Sequence, residues 1–210
     1  MKIIPFIYND IDDLCANTYL IVDSSNNVLV VDPSKDNDNL INYIEKNNFN
    51  LKAILLTHAH FDHIRGLSRL VKHFHCPTYL GFEEKETLTN PFYNCSILMG
   101  EEGVVDIKEI KLLADKEIID ELENEIVAIA TPYHTKGSIC YYIPKDSILI
   151  SGDFLFKSSL GRADLPTASR KDFQSSISKI IALPDETKVY PGHGGFTTIK
   201  EERTSNPFLK

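Results

Sequence analysis

Short apolar runs separated by polar turns recur along the first half of this chain. Runs of roughly four to eight residues, rich in valine, isoleucine and leucine, are typical of strands buried within a sheet. Strands are therefore predicted at residues 3–8, 17–23, 28–32, 53–56 and 78–81. Because residues 24–27 read Ser-Ser-Asn-Asn, a strong turn sequence, the second and third strands are predicted to form a hairpin.

Apolar residues spaced three and four positions apart predict helices between and after these strands. The helices are predicted at residues 40–47, 64–74, 83–89 and 169–183. The last of them places Phe173, Ile177, Ile180 and Ile181 on one face. Further strands are predicted at residues 104–113, 117–122, 125–130, 138–143, 147–150 and 188–190, and residues 90–102 are predicted to be an irregular connection. Strands followed by a helix thus occur twice, which by itself predicts a mixed fold of helices and strands.

Composition and charge limit the classes of protein that fit the chain. Its 210 residues are enough for one domain with a sizeable core, and 42% hydrophobic and 25% charged residues are ordinary for a soluble globular protein. The net charge of −8 argues against nucleic acid as a partner, and no apolar run approaches the roughly 18 residues of a membrane span. The first residues lack the features of a signal peptide, and four scattered cysteines without C-x-x-C spacing favour free thiols. A cytoplasmic protein is therefore expected.

The densest chemical feature lies directly after the strand at residues 53–56. Its sequence is Thr57-His58-Ala59-His60-Phe61-Asp62-His63, so three of the seven histidines fall within six positions. In an extended segment, side chains two positions apart point the same way, and His58 and His60 are therefore predicted to bind one metal ion together. Asp62 and His63, at the following turn, are predicted to face a second ion. Imidazole and carboxylate ligands suit zinc, iron or manganese.

The pattern H-x-H-x-D-H after an apolar strand resembles the metallo-β-lactamase superfamily. Two later segments, T-P-Y-H-T-K-G-S at residues 131–138 and G-R-A-D-L-P at residues 161–166, are similar to the short, single-domain branch of the glyoxalase II-like hydrolases. This resemblance extends from Asn17 to Phe208. It implies an α+β fold, a four-layer αββα sandwich, in which residues 1–210 form one domain without the helical C-terminal domain of larger glyoxalase II enzymes.

The resemblance also implies the remaining metal ligands, each of which follows a predicted strand at a turn containing glycine or proline. The implied first site holds His58, His60 and His134, the implied second site holds Asp62, His63 and His193, and Asp153 bridges the two. Catalysis is then expected to depend on Asp62 and Asp153. Asp32, which ends the strand at residues 28–32, matches a family position that orients a ligand, although a turn or capping role is an equal alternative.

Two zinc ions are the cofactors that this ligand set favours, with iron or manganese as alternatives. A dinuclear site lowers the pKa of a bridging water and supplies a nucleophile at neutral pH. A thiolate leaves without being protonated, because its pKa is near 8.5, whereas an amine needs a general acid. The expected reaction is therefore hydrolysis of a small-molecule thioester, S-lactoylglutathione or a related acyl-thiol.

The substrate contacts are less clearly indicated than the ligands. Arg162 matches the basic position that meets glutathione in larger glyoxalase II enzymes, but Asp164 does not match the aromatic residue found there. Arg162 is therefore predicted either to pair with a substrate carboxylate or to hold its own loop through Asp164. Lys136 is a further basic candidate, and Tyr133 replaces the usual glycine and changes the wall of the pocket.

Other functions share this fold and much of this motif. A mononuclear iron persulfide dioxygenase would use His58, His134 and Asp153 as a facial triad. A lactonase, a β-lactamase and a non-catalytic metal-binding protein are further alternatives, since fold does not fix function. His73 and His75, at the end of a predicted helix, are expected to be structural. No membrane or nucleic-acid partner is expected, and the sequence does not predict an oligomeric state.

Overall fold

Two six-stranded sheets form the centre of the protein. The structure is a computed structural model that describes residues 1–8, 14–100, 105 and 107–209. The strands are β1 (Lys2–Phe6), β2 (Thr18–Val22), β3 (Asn27–Val31), β4 (Asn50–Leu55), β5 (Thr78–Gly81), β6 (Ile110–Leu113), β7 (Ile118–Ile119), β8 (Ile126–Ala130), β9 (Ile139–Ile143), β10 (Ile148–Gly152), β11 (Leu155–Phe156), β12 (Ser159–Leu160), β13 (Lys188–Pro191) and β14 (Thr197–Thr198). The α-helices are α1 (Asn39–Lys46), α2 (Phe61–Ile64), α3 (Leu67–Phe74), α4 (Lys85–Thr89), α5 (Phe173–Ile181) and α6 (Ile199–Ser205).

Each sheet combines antiparallel and parallel pairs. The first sheet has the order β1-β2-β3-β4-β5-β6, antiparallel from β1 to β3 and parallel from β3 to β6. The second has the order β14-β13-β10-β9-β8-β7, in which only β10 and β13 are parallel. Strands β11 and β12 form a separate hairpin. Because helices and loops return the chain between the parallel strands, several loops leave the sheets at one shared edge.

Three hydrophobic clusters separate four layers of secondary structure. The first lies between the first sheet and helices α1 and α3, the second lies between the two sheets, and the third lies between the second sheet and α5. In β2 the side chains of Leu20 and Val22 enter the first cluster, whereas Tyr19 and Ile21 enter the second. Both faces of this strand are buried, which explains its uninterrupted apolar sequence. The expected αββα sandwich is confirmed.

The prediction of one continuous helix at residues 64–74 is wrong. Helix α2 begins at Phe61 and ends at Ile64, and α3 begins only at Leu67. Between them, the backbone N–H of Gly66 donates to the carbonyl of Pro33 at 2.8 Å, and a Cβ at Gly66 would lie 2.5 Å from the carbonyl oxygen of Lys35. This contact with the segment after β3 interrupts the helix. It separates residues 57–63, the metal loop, from α3.

Several other predicted elements are shorter than expected. Only Ile110–Leu113 forms a strand within residues 104–113, part of which lies outside the described residues, and only Ile118–Ile119 does so within residues 117–122. In the connection at residues 90–102, Ser96–Met99 forms a 3₁₀ helix. The hairpin of β11 and β12 and the helix α6 were not predicted.

Two further observations concern the cysteines and the helices. All four cysteines are buried free thiols. Within the described part of the chain, none of the helices could serve as a transmembrane span.

Candidate metal centre

The seven predicted ligands meet at the edge shared by the two sheets. They are carried by four loops, which follow β4, β8, β10 and β13. The loop after β4 comes from the first sheet and the other three come from the second. The site therefore lies where the two halves of the sandwich join, and its histidines and aspartates form two adjoining clusters with Asp153 between them.

The first cluster consists of His58, His60 and His134, all of them buried. The Nδ1 atom of His60 lies 3.1 Å from Nε2 of His58 and 2.9 Å from Nε2 of His134. Three ring nitrogens therefore face one point. A trio of imidazoles at such a point is a common ligand set for a transition-metal ion.

The second cluster consists of Asp62, His63 and His193. The Oδ2 atom of Asp62 lies 3.0 Å from Nε2 of His193 and 3.8 Å from Nε2 of His63. His63 is fully buried, whereas the side chain of His193 is 37% exposed. This cluster thus mixes one carboxylate with two imidazoles and opens towards solvent on the side of His193.

Asp153 lies between the clusters and approaches both. Its Oδ1 is 3.3 Å from Nε2 of His63, and its Oδ2 is 3.6 Å from Nε2 of His134 and 3.7 Å from Nε2 of His193. One carboxylate therefore points its two oxygens at histidines of both clusters. This is the placement that a carboxylate shared by two metal ions requires.

Outer hydrogen bonds fix the orientation of three histidine rings. His63 Nδ1 donates to Oδ2 of Asp32 at 2.9 Å, and His134 Nδ1 donates to the backbone carbonyl of Arg162 at 2.7 Å. His58 Nδ1 lies 3.2 Å from the hydroxyl of Thr57. Because each of these Nδ1 atoms is engaged outside the centre, the Nε2 lone pair of each ring points inwards.

Asp32 links two parts of the metal loop. Its Oδ1 accepts from the backbone N–H of Thr57 at 2.8 Å, and its Oδ2 accepts from the Thr57 hydroxyl at 2.6 Å as well as from His63. Its side chain is almost fully buried, and its backbone has a positive φ of 50°. Of the two roles expected for Asp32, the geometry supports the orientation of a ligand.

The two clusters differ in how burial and charge shift their pKa values. Burial, together with the neighbouring histidines, holds the pKa of His58 well below its usual range, and burial lowers the pKa of His60 to about 3. Burial would also lower the pKa of His63, but the charges of Asp153, Asp32 and Asp62 outweigh it and raise that pKa.

For His193 and the two carboxylates, as for His63, neighbouring charges outweigh the effect of burial on the pKa. Burial would lower the pKa of His193, yet Asp153 and Asp62 raise it. Burial would raise the pKa values of Asp62 and Asp153, yet the neighbouring histidines lower both. The second cluster therefore favours charged groups, whereas His58 and His60 of the first favour the neutral imidazole.

Unpaired buried atoms show that the residues fit metal ions. Among the described residues, Nε2 of His63 and Oδ1 of Asp153 are buried without a hydrogen-bond partner, although they lie 3.3 Å apart. Buried polar atoms are nearly always paired, and a cation between lone pairs is one way to satisfy them. The nitrogen and oxygen donors of the two clusters suit zinc, iron or manganese.

Comparison with known proteins decides the family. The sequence profile of the metallo-beta-lactamase superfamily matches residues 12–193. The chain belongs to the metallo-beta-lactamase superfamily. Among curated relatives, the hydroxyacylglutathione hydrolase GloC of Haemophilus influenzae is 32% identical over 197 residues, which cover 92% of this chain and 92% of GloC.

Two solved structures are also similar over their full length. The BLEG-1 B3 metallo-beta-lactamase has a TM-score of 0.92 and 33% identity, with 100% of both chains covered. TTHA1623, solved in a di-iron-bound form, has a TM-score of 0.86 and 29% identity, covering 98% of this chain and 100% of its own. The family match, the curated relatives and the ligand clusters described above together identify this superfamily member as a metallo-hydrolase.

The predicted substrate residues lie at the surface and have protein partners. Arg162 pairs bidentately with Asp164, Nε to Oδ1 at 2.7 Å and Nη2 to Oδ2 at 2.8 Å, and its side chain is 62% exposed. Lys136 is also exposed and lies 3.8 Å from Glu83. The Arg162–Asp164 pair agrees with the alternative that Arg162 holds its own loop. The backbone carbonyl of Arg162 contacts His134.

Tyr133 lies beside the first cluster but packs away from it. Its ring centroid lies 4.8 Å from that of Phe173 and 6.1 Å from that of Phe154. It therefore joins the third hydrophobic cluster. The two histidines expected to be structural have local roles, since His73 contacts Glu45 at 2.8 Å and His75 ends α3 in the left-handed conformation.

Sequence reasoning missed the residues that support the ligand loops. Asn17 donates through Nδ2 to the carbonyls of Pro191 and Gly194, and the hydroxyl of Tyr19 also donates to Pro191 at 2.6 Å. These bonds hold the loop of His193 against the first sheet. The only sequence signal was their place within the apolar run at residues 17–23, where a buried asparagine needs a partner.

Proposed function

We propose that this metallo-hydrolase is a dinuclear zinc enzyme that hydrolyses thioesters such as S-lactoylglutathione. The observation that carries the proposal is the position of Asp153, which faces histidines of both ligand clusters at 3.3 to 3.7 Å. The similarity to GloC, named a hydroxyacylglutathione hydrolase, supports the thioester substrate. The four buried free thiols agree with a reducing compartment, and we propose the cytoplasm.

Each cluster would hold one ion, and Asp153 would be shared between them. Bound ions would lower the pKa of a water between them and polarise the substrate carbonyl. Asp32, Thr57 and the carbonyl of Arg162 keep three histidine rings oriented, so the site is organised before substrate arrives. The open side at His193 admits substrate. A departing thiolate needs no proton, so no general acid is required of the chain.

Zinc is the proposed metal, but the nitrogen and oxygen donors also suit iron, which has a specific observation in its favour. TTHA1623 was solved in a di-iron-bound form at 29% identity. Elemental analysis of the protein purified without added metal distinguishes zinc from iron and manganese. A single iron per chain with persulfide-dependent oxygen uptake would instead identify a dioxygenase.

A second candidate reaction is hydrolysis of β-lactams, which the similarity to BLEG-1 favours. The test compares initial rates on S-lactoylglutathione, a chromogenic β-lactam and a simple lactone, using one preparation of zinc-loaded protein. The proposal predicts the highest kcat/KM on the thioester. A higher kcat/KM on either ring substrate would contradict it.

A further inference from the structure

Glu84 is a buried carboxylate that belongs to neither ligand cluster, yet it joins the two loops that carry the first. We propose that Glu84 is a positioning residue that holds the loop of His58 and His60 against the loop of His134, so that their ring nitrogens converge before an ion binds. This inference rests on the proposed metal centre and concerns how its first ion is held.

Each oxygen of Glu84 contacts a different loop. Its Oε2 accepts a hydrogen bond at 3.0 Å from the backbone N–H of Ala59, which stands between two histidines of the first cluster. Its Oε1 accepts from the hydroxyl of Thr135, which directly follows the third histidine, and from the backbone N–H of Gly137 at 3.1 Å. One side chain therefore connects the backbone on both sides of the first cluster.

The chain is shaped to let this contact form. Glu84 ends a short 3₁₀ helix, Phe82–Glu84, which follows β5 of the first sheet. Gly137 lies in the loop between β8 and β9 of the second sheet. A Cβ at Gly137 would lie 2.6 Å from the backbone nitrogen of Glu84, closer than real Cβ contacts, so glycine is what allows the two loops to approach.

A carboxylate suits this position because both of its oxygens face donors. Glu84 is fully buried, and burial raises the pKa of its carboxyl against the opposing effect of its three hydrogen bonds. The charge of Lys136 also opposes this rise, although its ammonium pairs with Glu83 at 3.8 Å. Glutamine has the same shape, but its NH₂ group would face a backbone N–H of one loop and leave that N–H unpaired. Glu84→Gln should therefore loosen one loop without creating a cavity.

A second buried carboxylate provides a matched control. Glu202 is 1% exposed and also accepts three hydrogen bonds, from Ser158 N–H, the Thr197 hydroxyl and Asn206 Nδ2. None of these partners is adjacent in sequence to a predicted ligand. Glu202→Gln thus repeats the chemical change at a site that only supports the fold.

The experiment measures zinc affinity in a background that isolates the first cluster. His193→Ala removes a histidine of the second cluster and leaves the first cluster complete. Metal-free proteins carrying this change, alone or with Glu84→Gln or Glu202→Gln, are titrated with zinc against a chromophoric chelator. We expect Glu84→Gln to weaken zinc binding about 10- to 100-fold, as loss of outer partners of metal ligands does, and Glu202→Gln to leave it unchanged.

Each result decides between the inference and its alternatives. Glu84→Gln should lower the melting temperature of the metal-free protein, because it leaves a buried N–H unpaired, so lost stability alone is not support. Equal zinc affinity in the two variants would overturn the role of Glu84 and leave the metal centre standing. Failure of both His193→Ala and the unaltered protein to bind zinc would overturn the centre itself.

A milder pair of substitutions covers the case in which Glu84→Gln does not fold. Thr135→Val removes one hydroxyl that donates to Glu84, and Thr197→Val removes the corresponding donor to Glu202. Thr135→Val should weaken zinc binding in the same background, by less than Glu84→Gln would, while Thr197→Val should not. Equal affinities for this pair would also contradict the inference.

Discussion

The two ligand clusters lie side by side but differ in charge. The first is built only from histidines, and the pKa values of His58 and His60 are held low, so these rings are neutral and ready to donate lone pairs. The second contains Asp62 and faces Asp153, and these carboxylates raise the pKa values of His63 and His193. Without an ion, the second cluster can satisfy its polar atoms by protonation, whereas in the first only an N–H of His60 can lie between the other two rings.

This contrast predicts unequal roles for the two sites. The first should act as a rigid trio whose geometry depends on the loops that carry it. The second should be tuned by charge and by protons. Asp153 lies between both clusters, so substitutions in the two clusters should not have additive effects.

The largest expected effect is the loss of hydrolysis in Asp62→Ala. We expect turnover to fall at least about a hundredfold, because loss of a direct ligand should exceed the effect of losing an outer partner. Metal content should fall by one ion per chain, since the first cluster keeps its histidines. Thioester assays and elemental analysis measure both. Circular dichroism should stay unchanged, and Asp36→Ala, an exposed aspartate, is the control. Retained turnover would show that the second cluster is not needed.

Zinc binding at the second cluster should depend more steeply on pH than binding at the first. His63 and His193 have raised pKa values, so each holds its proton to a higher pH than a free imidazole and must release it to bind a cation. Below those pKa values, each released proton weakens binding about tenfold per unit of falling pH. His58 and His60, with lowered pKa values, have no proton to release.

Calorimetry in buffers of different ionisation enthalpy counts the protons released as each zinc ion binds. Release should accompany one ion far more than the other, and His193→Ala should abolish most of it. Equal release with both ions would remove the distinction between the clusters.

Asp32→Asn should weaken the second ion more than the first. The amide keeps the size of the side chain but has one acceptor oxygen, so it cannot serve the backbone N–H of Thr57 and, at the same time, the Thr57 hydroxyl and His63, as the carboxylate does. A loss of about 10- to 100-fold in affinity is expected for the ion held by His63. Stepwise zinc titration measures it. An equal loss at both ions would mean that Asp32 acts mainly through Thr57 and His58.

Arg162→Ala should have the smallest effect on the clusters. Its guanidinium pairs with Asp164 at the surface, and exposed ion pairs contribute little to the free energy of unfolding. The contact to His134 comes from the backbone and survives. If the side chain also binds the substrate, KM for a glutathione thioester should rise more than kcat falls, and a thioester without carboxylates should be unaffected. Equal losses on both substrates would assign Arg162 to its loop alone.

Local sequence patterns predicted what depends on burial within one element. Strands such as β2 and β3 are largely apolar because both faces are buried, and the face of α5 was visible in the spacing of Ile177 and Ile180. The break at Gly66 was not predictable, because its cause is the backbone of residues 33–35, which only the tertiary structure brings close.

In the candidate centre, too, some residues could be predicted from local sequence and others depend on tertiary contacts. The histidines and aspartates stand out in the sequence because their chemistry is concentrated in short motifs. Glu84 does not, since an acidic residue at the start of a helix usually faces solvent and helps the helix dipole. Its role depends on two loops that meet across different sheets. Arg162 and Asp164 suggested two roles equally, and only the structure shows that they pair.

The number of metal ions per chain tests the central claim most directly. The protein should be stripped of metal, reloaded with zinc, freed of excess by gel filtration, and analysed beside Asp153→Ala and Asp36→Ala. Two clusters sharing Asp153 predict about two ions in the unaltered protein and in Asp36→Ala, and fewer in Asp153→Ala. A firm value of one ion in the unaltered protein, unchanged when more zinc is supplied, would contradict the dinuclear centre.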